Sequence, residues 1–260
     1  MEAEKAVFTE RKSHCCTVWL SRPAKRNAIH LPMAQTLIET LDLLSADDGV
    51  RVVILRGRGK SFCAGADLAW MADTSLPEGE QADQVLPRLF KAFYQFSKPL
   101  IIMAHGHSMG GALGILSTAD FVLARQDSLF AFSELRLGLI PATISPYIIK
   151  RIGEFRARQL MLTARTIGAA EALEAGLVDQ VGTEGDIEAH KDYLCAELTK
   201  SAPRASILCK QLISRLSPLE MDDGLTRYTA DLLKRVRGGD EAREGIRAFR
   251  ERRPPGWQKG

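Results

Sequence analysis

Residues 100 to 141 read LIIMAHGHSMGGALGILSTADFVLARQDSLFAFSELRLGLIP, and this stretch decides the fold. The apolar run 100–104 breaks into a glycine turn at Gly106, Gly110 and Gly111. A helix-like segment follows, then a second apolar strand near 121–126. A lone acid, Glu134, precedes the apolar segment ending at Pro141. A strand that ends in glycines and opens a helix aims unpaired main-chain N–H groups at one point. A carboxylate beside them is placed to move protons wherever those N–H groups hold negative charge. Two kinds of chemistry fit: a serine hydrolase and a thioester enzyme.

The segments before this stretch supply strands and helices in alternation. Residues 6–10 and 16–21 read as short strands around a polar turn at 11–14, because Cys16, Val18 and Leu20 alternate with Thr17 and Trp19. A basic loop, RPAKRNAI, leads into a helix over 32–46 whose Ala34, Leu37, Ile38, Leu41 and Leu44 form one stripe. Residues 51–57, RVVILRG, read as a buried strand. Residues 73–84 are a polar loop, and a helix over 85–96 stops before Pro99. After Thr143 the chain turns helical: 145–152, 154–163 and 168–175, a strand at 177–182, then helices at 187–200, 203–216, 219–236 and 241–252. The pattern predicts an α/β core over residues 1–200 and a helical region over 201–260, which packs on a subunit partner.

Composition narrows the function class. The chain has 260 residues, 45% of them hydrophobic and 26% charged, the profile of a folded globular protein. A net charge of +3 gives no general case for nucleic acid or anionic membrane. The Arg-rich tail (Arg235, Arg237, Arg243, Arg247, Arg250, Arg252, Arg253) is interleaved with acids and reads as a solvated helix face, so no nucleic-acid partner is expected. No apolar run approaches the ~20 residues of a membrane span, and the N-terminus is charged, so neither membrane nor secretion is expected. Five scattered cysteines without a CxxC pair point to a reducing compartment, hence a cytoplasmic location.

The hydrolase reading rests on Gly106-His107-Ser108-Met109-Gly110, a G-x-S-x-G match with a strand before it and a helix after. In such a fold the base is a histidine downstream of the serine, and His190, in an acidic helical segment, is the one histidine there. That weakness makes the hydrolase the lesser alternative. Gly59-Lys60-Ser61 resembles the end of a phosphate-binding loop, but Ile54 stands where that loop needs glycine. His105 and His107 lie two apart without a spaced third ligand, so no metal site is expected.

The thioester reading has more support. Residues 62–68, FCAGADL, and 109–114, MGGALG, each offer small residues with available N–H groups after a strand. Two such donors converging on one carbonyl oxygen make an oxyanion hole. Here the chain resembles the crotonase family of enoyl-CoA hydratases and isomerases. Residues 22–28 are similar to its RPxxxNA segment, 62–68 to FxAGADL, and 98–111 to KPxIAxxxGxxxGG. Ala119-Asp120, residues 133–141 (similar to PExxLGLIP), 169–178 (AxEAxxxGLV) and 249–254 (FxEKRxP) continue in order across nearly the whole chain.

The resemblance implies a crotonase-like β-β-α superhelix with a C-terminal helical oligomerisation region, forming homotrimers or hexamers. It implies an acyl-CoA substrate and no cofactor beyond the coenzyme A of that substrate. The Ala66 and Gly111 N–H groups would hold the thioester oxygen, and Glu134 would handle the proton. Lys25, Arg26, Ala28, Ala64, Asp67, Leu68, Gly110, Gly114 and Arg252 would meet substrate or coenzyme A, Arg252 from a neighbouring subunit. The chain departs from two-carboxylate hydratases at Gly114, where they carry a second glutamate. A single acid also suits a 3-enoyl to 2-enoyl-CoA isomerase. The SELRLGLIPATISPY form with glycine at 114 is similar to methylglutaconyl-CoA and isohexenylglutaconyl-CoA hydratases of leucine and acyclic-terpene breakdown. The expected substrate is accordingly a short branched acyl-CoA of the 3-methylglutaconyl type.

Overall fold

The computed structural model describes residues 5–73, 75–77, 79–217 and 239–258. The helix expected over 219–236, with Arg235 and Arg237, lies outside them. Strands β1 (Val7–Lys12) and β2 (Cys15–Leu20) pair antiparallel through Ser13, which takes φ +54°. Pairing carries β1 through Lys12, two residues beyond the expected strand, because the turn needs only Ser13 and His14.

Strand β2 then pairs in parallel with β3 (Val52–Gly57), β3 with β4 (Leu100–Ala104), β4 with β6 (Phe121–Arg125), and β6 with β9 (Gln180–Gly182). Side chains alternate across this six-stranded sheet. Val53, Leu55, Leu100 and Ile102 enter one core with α1 (Leu31–Ala46), α3 (Ala82–Gln95) and α4 (Gly111–Thr118). Val52, Ile54, Ile101, Met103 and Leu123 face Ile187 and Leu194 of α7 (Glu184–Lys200). Burial on both faces is why VVIL and LIIM read as continuous apolar runs.

A second, smaller sheet holds β5 (His107–Met109), β7 (Leu129–Ala131) and β8 (Ile167–Gly168). Parallel bridges Ile29–Ala66 and Cys63–Ser108 extend the same stacking. Successive passes of the chain thus add to both sheets, with helices between them. This is the β-β-α spiral of the crotonase fold. The short strands were illegible in the sequence because two or three residues carry no period.

Other departures have local causes. Segments 145–152 and 154–163 form one run, α5 (Ser145–Thr163), bent at Gly153 with φ +76°. The expected strand 177–182 shrinks to β9, because the N–H groups of Leu177 and Val178 go to Ala172 O and close α6 (Ala169–Glu174). Helix α7 starts three residues before the expected position. Thr183 and Asp186 form a reciprocal capping box there, satisfying two end groups at once. Farther on, α8 (Pro203–Leu216) has no buried residue and leaves Ile213 63% exposed. Its Lys210 anchors it by donating to Asp120 Oδ2 at 2.6 Å and Lys98 O at 2.9 Å. After α9 (Asp240–Arg250), Trp257 Nε1 donates to Lys200 O at 3.0 Å. Among the described residues no helix is long and apolar enough to cross a membrane.

Candidate active site

The loop from Phe62 to Asp67 uses almost every main-chain donor it has. Phe62 N–H donates to His105 O, Cys63 N–H to His107 O and Ala64 N–H to Arg26 O. Gly65 N–H donates to Cys63 Sγ at 3.4 Å, and Asp67 N–H to Ile29 O at 2.7 Å. Ile29 bonds to the residues either side of Ala66, so the Ala66 N–H points away from that ladder. It has no hydrogen-bond partner among the described residues. Asn27, fully buried with φ +56°, holds the base of the loop by donating to Ser61 O and Phe62 O. Cys63 is inert packing: complete burial pushes its thiol up to about 12.

The facing loop is saturated in the same way up to one residue. Met109 N–H donates to Cys63 O and Gly110 N–H to Ala131 O. Gly111 then opens α4, where the first N–H groups have no intrahelical acceptor. The two loops touch at glycines. A Cβ on Gly65, which has φ +88°, would lie 2.6 Å from Met109 O and 3.2 Å from Gly111 N. A Cβ on Gly111 would lie 3.6 Å from Ala66 N. Ala66 and Gly111 thereby bring their N–H groups to one side of a cavity of about 210 Å3. Two free donors this close together can serve one acceptor oxygen, which is what an oxyanion hole requires.

Glu134 stands beside it. A Cβ on Gly110 would sit 3.2 Å from Glu134 Oε1 and 3.7 Å from Ser133 Oγ. Strand β7 and the 3-10 turn Glu134–Leu137 deliver the carboxylate to this place. Its Oε2 is buried without a hydrogen-bond partner. Burial raises the Glu134 carboxyl above its ordinary range, since removal from water disfavours the charged form. A raised pKa suits a group that must both take and return a proton.

Gly114, expected at the substrate, is covered by other side chains on the cavity side. A Cβ there would meet Ile144 Cβ at 2.9 Å and Phe90 Cε1 at 3.1 Å, with Ile144 Cγ2 closer still. Ile144 and Phe90 line the cavity in its place. Neither was read as functional from sequence. Phe90 belongs to α3 and Ile144 caps α5, and only folding brings both onto α4.

The remaining expected residues divide. Ala64, Leu68 and Gly110 line the cavity. Lys25 and Arg26 are exposed at the end of the 3-10 turn Pro23–Lys25, and Arg26 O accepts from the cavity-lining Ala64. Ala28 and Asp67 have structural partners instead of cavity positions. Ala28 O accepts from Arg22 Nη1 at 2.5 Å. Asp67 pairs with Arg22 at 3.3 Å and accepts from Ala69 N–H at 3.1 Å, capping α2 (Leu68–Ala72). Arg252 is exposed with φ +52° in the turn after α9 and does not line the cavity of its own chain. Among the described residues no three of His, Cys, Asp and Glu gather as metal ligands, and His105 Nε2 bonds to Gly59 O instead.

Comparison with known proteins agrees with this geometry. The family model for enoyl-CoA hydratase/isomerase matches residues 10–260. The chain belongs to that family. It is 35% identical over 247 residues to a putative enoyl-CoA hydratase of Thermus thermophilus, covering 94% of this chain and 97% of that one. Its fold superposes on Pseudomonas aeruginosa AtuE with a TM-score of 0.92, at 30% identity, covering 98% of this chain and 100% of that one. An enoyl-CoA hydratase from Shewanella pealeana gives 0.91 at 31% identity, covering 97% and 96%. As an enoyl-CoA hydratase/isomerase family enzyme, the chain acts on an acyl-CoA thioester. The serine hydrolase alternative falls. Ser108 lies inside β5, completely buried, and its Oγ has no hydrogen-bond partner to serve as a base.

Proposed function

We propose that the protein hydrates a short, branched 2-enoyl-CoA reversibly, with Glu134 as its one side-chain acid and base. The observation that carries this is the half-buried Glu134 carboxylate, one oxygen of which is buried without a partner, set against Gly110 next to the Ala66 and Gly111 donors. The thioester oxygen accepts from both N–H groups as negative charge grows on it. Loss of one such donor typically costs about 2.7–4 kcal/mol of barrier. Glu134 takes a proton from water, the hydroxide adds to C3, and the same proton goes to C2. Atoms balance with a single carboxylate.

Isomerisation is the second reading, favoured by the Ile144 side chain in front of Gly114. There Glu134 takes the C2 proton of a 3-enoyl-CoA and returns it at C4, with no water added. The 3-methylglutaconyl type of substrate carries a second carboxylate. None of the cavity-lining side chains among the described residues is a cation, so a short branched chain without that carboxylate fits the cavity better. Lys25 and Arg26, at the cavity lip through Arg26 O and Ala64, are proposed to meet coenzyme A phosphates. The exposed face of α8 supports residues 201–260 as a contact between copies, tested by light scattering for a trimer or hexamer.

The conjugated thioester absorbance tests the chemistry. It falls when 3-methylcrotonyl-CoA or 3-methylglutaconyl-CoA is hydrated, and preference for the first supports a pocket without a lining cation. It rises when a 3-enoyl-CoA is isomerised. No change with any of these esters would sink the proposal.

A further inference from the structure

We propose that Ile144 is the specificity-determining residue of this site: it fills the space before Gly114, excludes a second acid with its water, and seats the acyl branch. The inference deepens the functional reading above and rests on it. Gly114 is buried within α4, and even a methyl group there runs into Ile144 Cβ at 2.9 Å. A glutamate side chain is longer and must enter the same volume. The Ile144 side chain is held in place by its backbone, whose carbonyl accepts from Tyr147 and Ile148 N–H, both at 3.1 Å. It is 1% exposed and still forms part of the cavity wall. Phe90 supports it from α3, also fully buried. Neither side chain offers water a hydrogen bond. The attacking water is therefore held from the Glu134 side, and the acyl branch takes the dry side.

Four variants test this: Ile144→Gly, Gly114→Ala, the pair together, and Gly114→Glu combined with Ile144→Gly. Thermal unfolding reads the packing. Gly114→Ala lowers Tm in the otherwise native chain and by less than half as much when Ile144→Gly is present. Turnover reads specificity. Ile144→Gly lowers kcat/KM for 3-methylcrotonyl-CoA at least tenfold relative to linear crotonyl-CoA. Adding Gly114→Glu to Ile144→Gly raises the ratio of hydration to isomerisation at least tenfold. Where Ile144→Gly does not fold, Ile144→Val gives a smaller shift in the same branched-to-linear ratio. An equal Tm loss in both backgrounds, or an unchanged branched-to-linear ratio, overturns the role of Ile144 while leaving the functional reading intact. A native enzyme inactive on every enoyl-CoA overturns the functional reading instead.

Discussion

Two segments meet at the cavity and are built in opposite ways. In residues 62–67 nearly every main-chain donor is spent inside the protein, and the Ala66 N–H is left over. In residues 133–144 the side chains do the work: Glu134 keeps an unpaired oxygen, and Ile140 is 74% exposed at the rim. The first segment is a rigid frame that offers charge stabilisation without reorganising. The second presents one carboxylate and several apolar side chains to the cavity. Its carboxylate, with one oxygen buried and unpaired, costs stability, a common trade at functional sites.

The comparison predicts opposite stability signatures for damage to the two segments. Glu134→Gln should lower kcat by about 10²–10⁴-fold while acyl-CoA binding by calorimetry persists. The same variant should be more stable than the native chain at neutral pH. A carboxyl raised by burial adds stability that is full below its unfolded pKa and lost as pH rises through its folded value. The Tm advantage of Glu134→Gln should thus vanish in acid, and native activity should fall as pH drops through the raised value. An unchanged or lower Tm at neutral pH breaks the comparison.

Damage to the frame should lose both quantities. Gly65→Ala forces a side chain onto a residue at φ +88° and against Met109 O, pushing the two donors apart. We expect a loss of about 10²–10³-fold in kcat, as for one lost oxyanion donor, with a lower Tm. Asp67→Ala removes the α2 cap and the Arg22 partner, neither of which is a cavity-lining side chain. Stability should fall by about 0.5–2 kcal/mol in urea unfolding, with KM moving more than kcat. Ser108→Ala should have the smallest effect. It deletes an unpaired buried hydroxyl, so turnover is kept and stability is unchanged or higher. Loss of turnover in Ser108→Ala would revive the nucleophilic serine.

Much of the frame was legible in the chain. The apolar runs at 51–57 and 100–104 read as strands, and their lack of polar alternation follows from burial on both faces. Ala66, Gly111 and Glu134 were legible from motifs in order along the chain, and they do meet at one cavity. The engagement of the Asp67 carboxylate with Arg22 and Ala69 N–H was not legible, because a motif position says nothing about a side chain's partners. The short β5, β7 and β8 were hidden for want of length, although they aim Ser108 inward and Glu134 at the cavity.

Sequence alone determined most of the described helices and the long strands, the glycine turns and the absence of an acid at position 114. Those are local properties, set by side-chain period and by backbone positions that tolerate no Cβ. Tertiary structure decided what stands opposite that missing acid. Phe90, Gly114 and Ile144 lie far apart in the chain, and their meeting depends on α3, α4 and α5 packing together. A glycine in a helix looks like a vacancy when read along the chain. In the folded protein its space belongs to the isoleucine that packs against it.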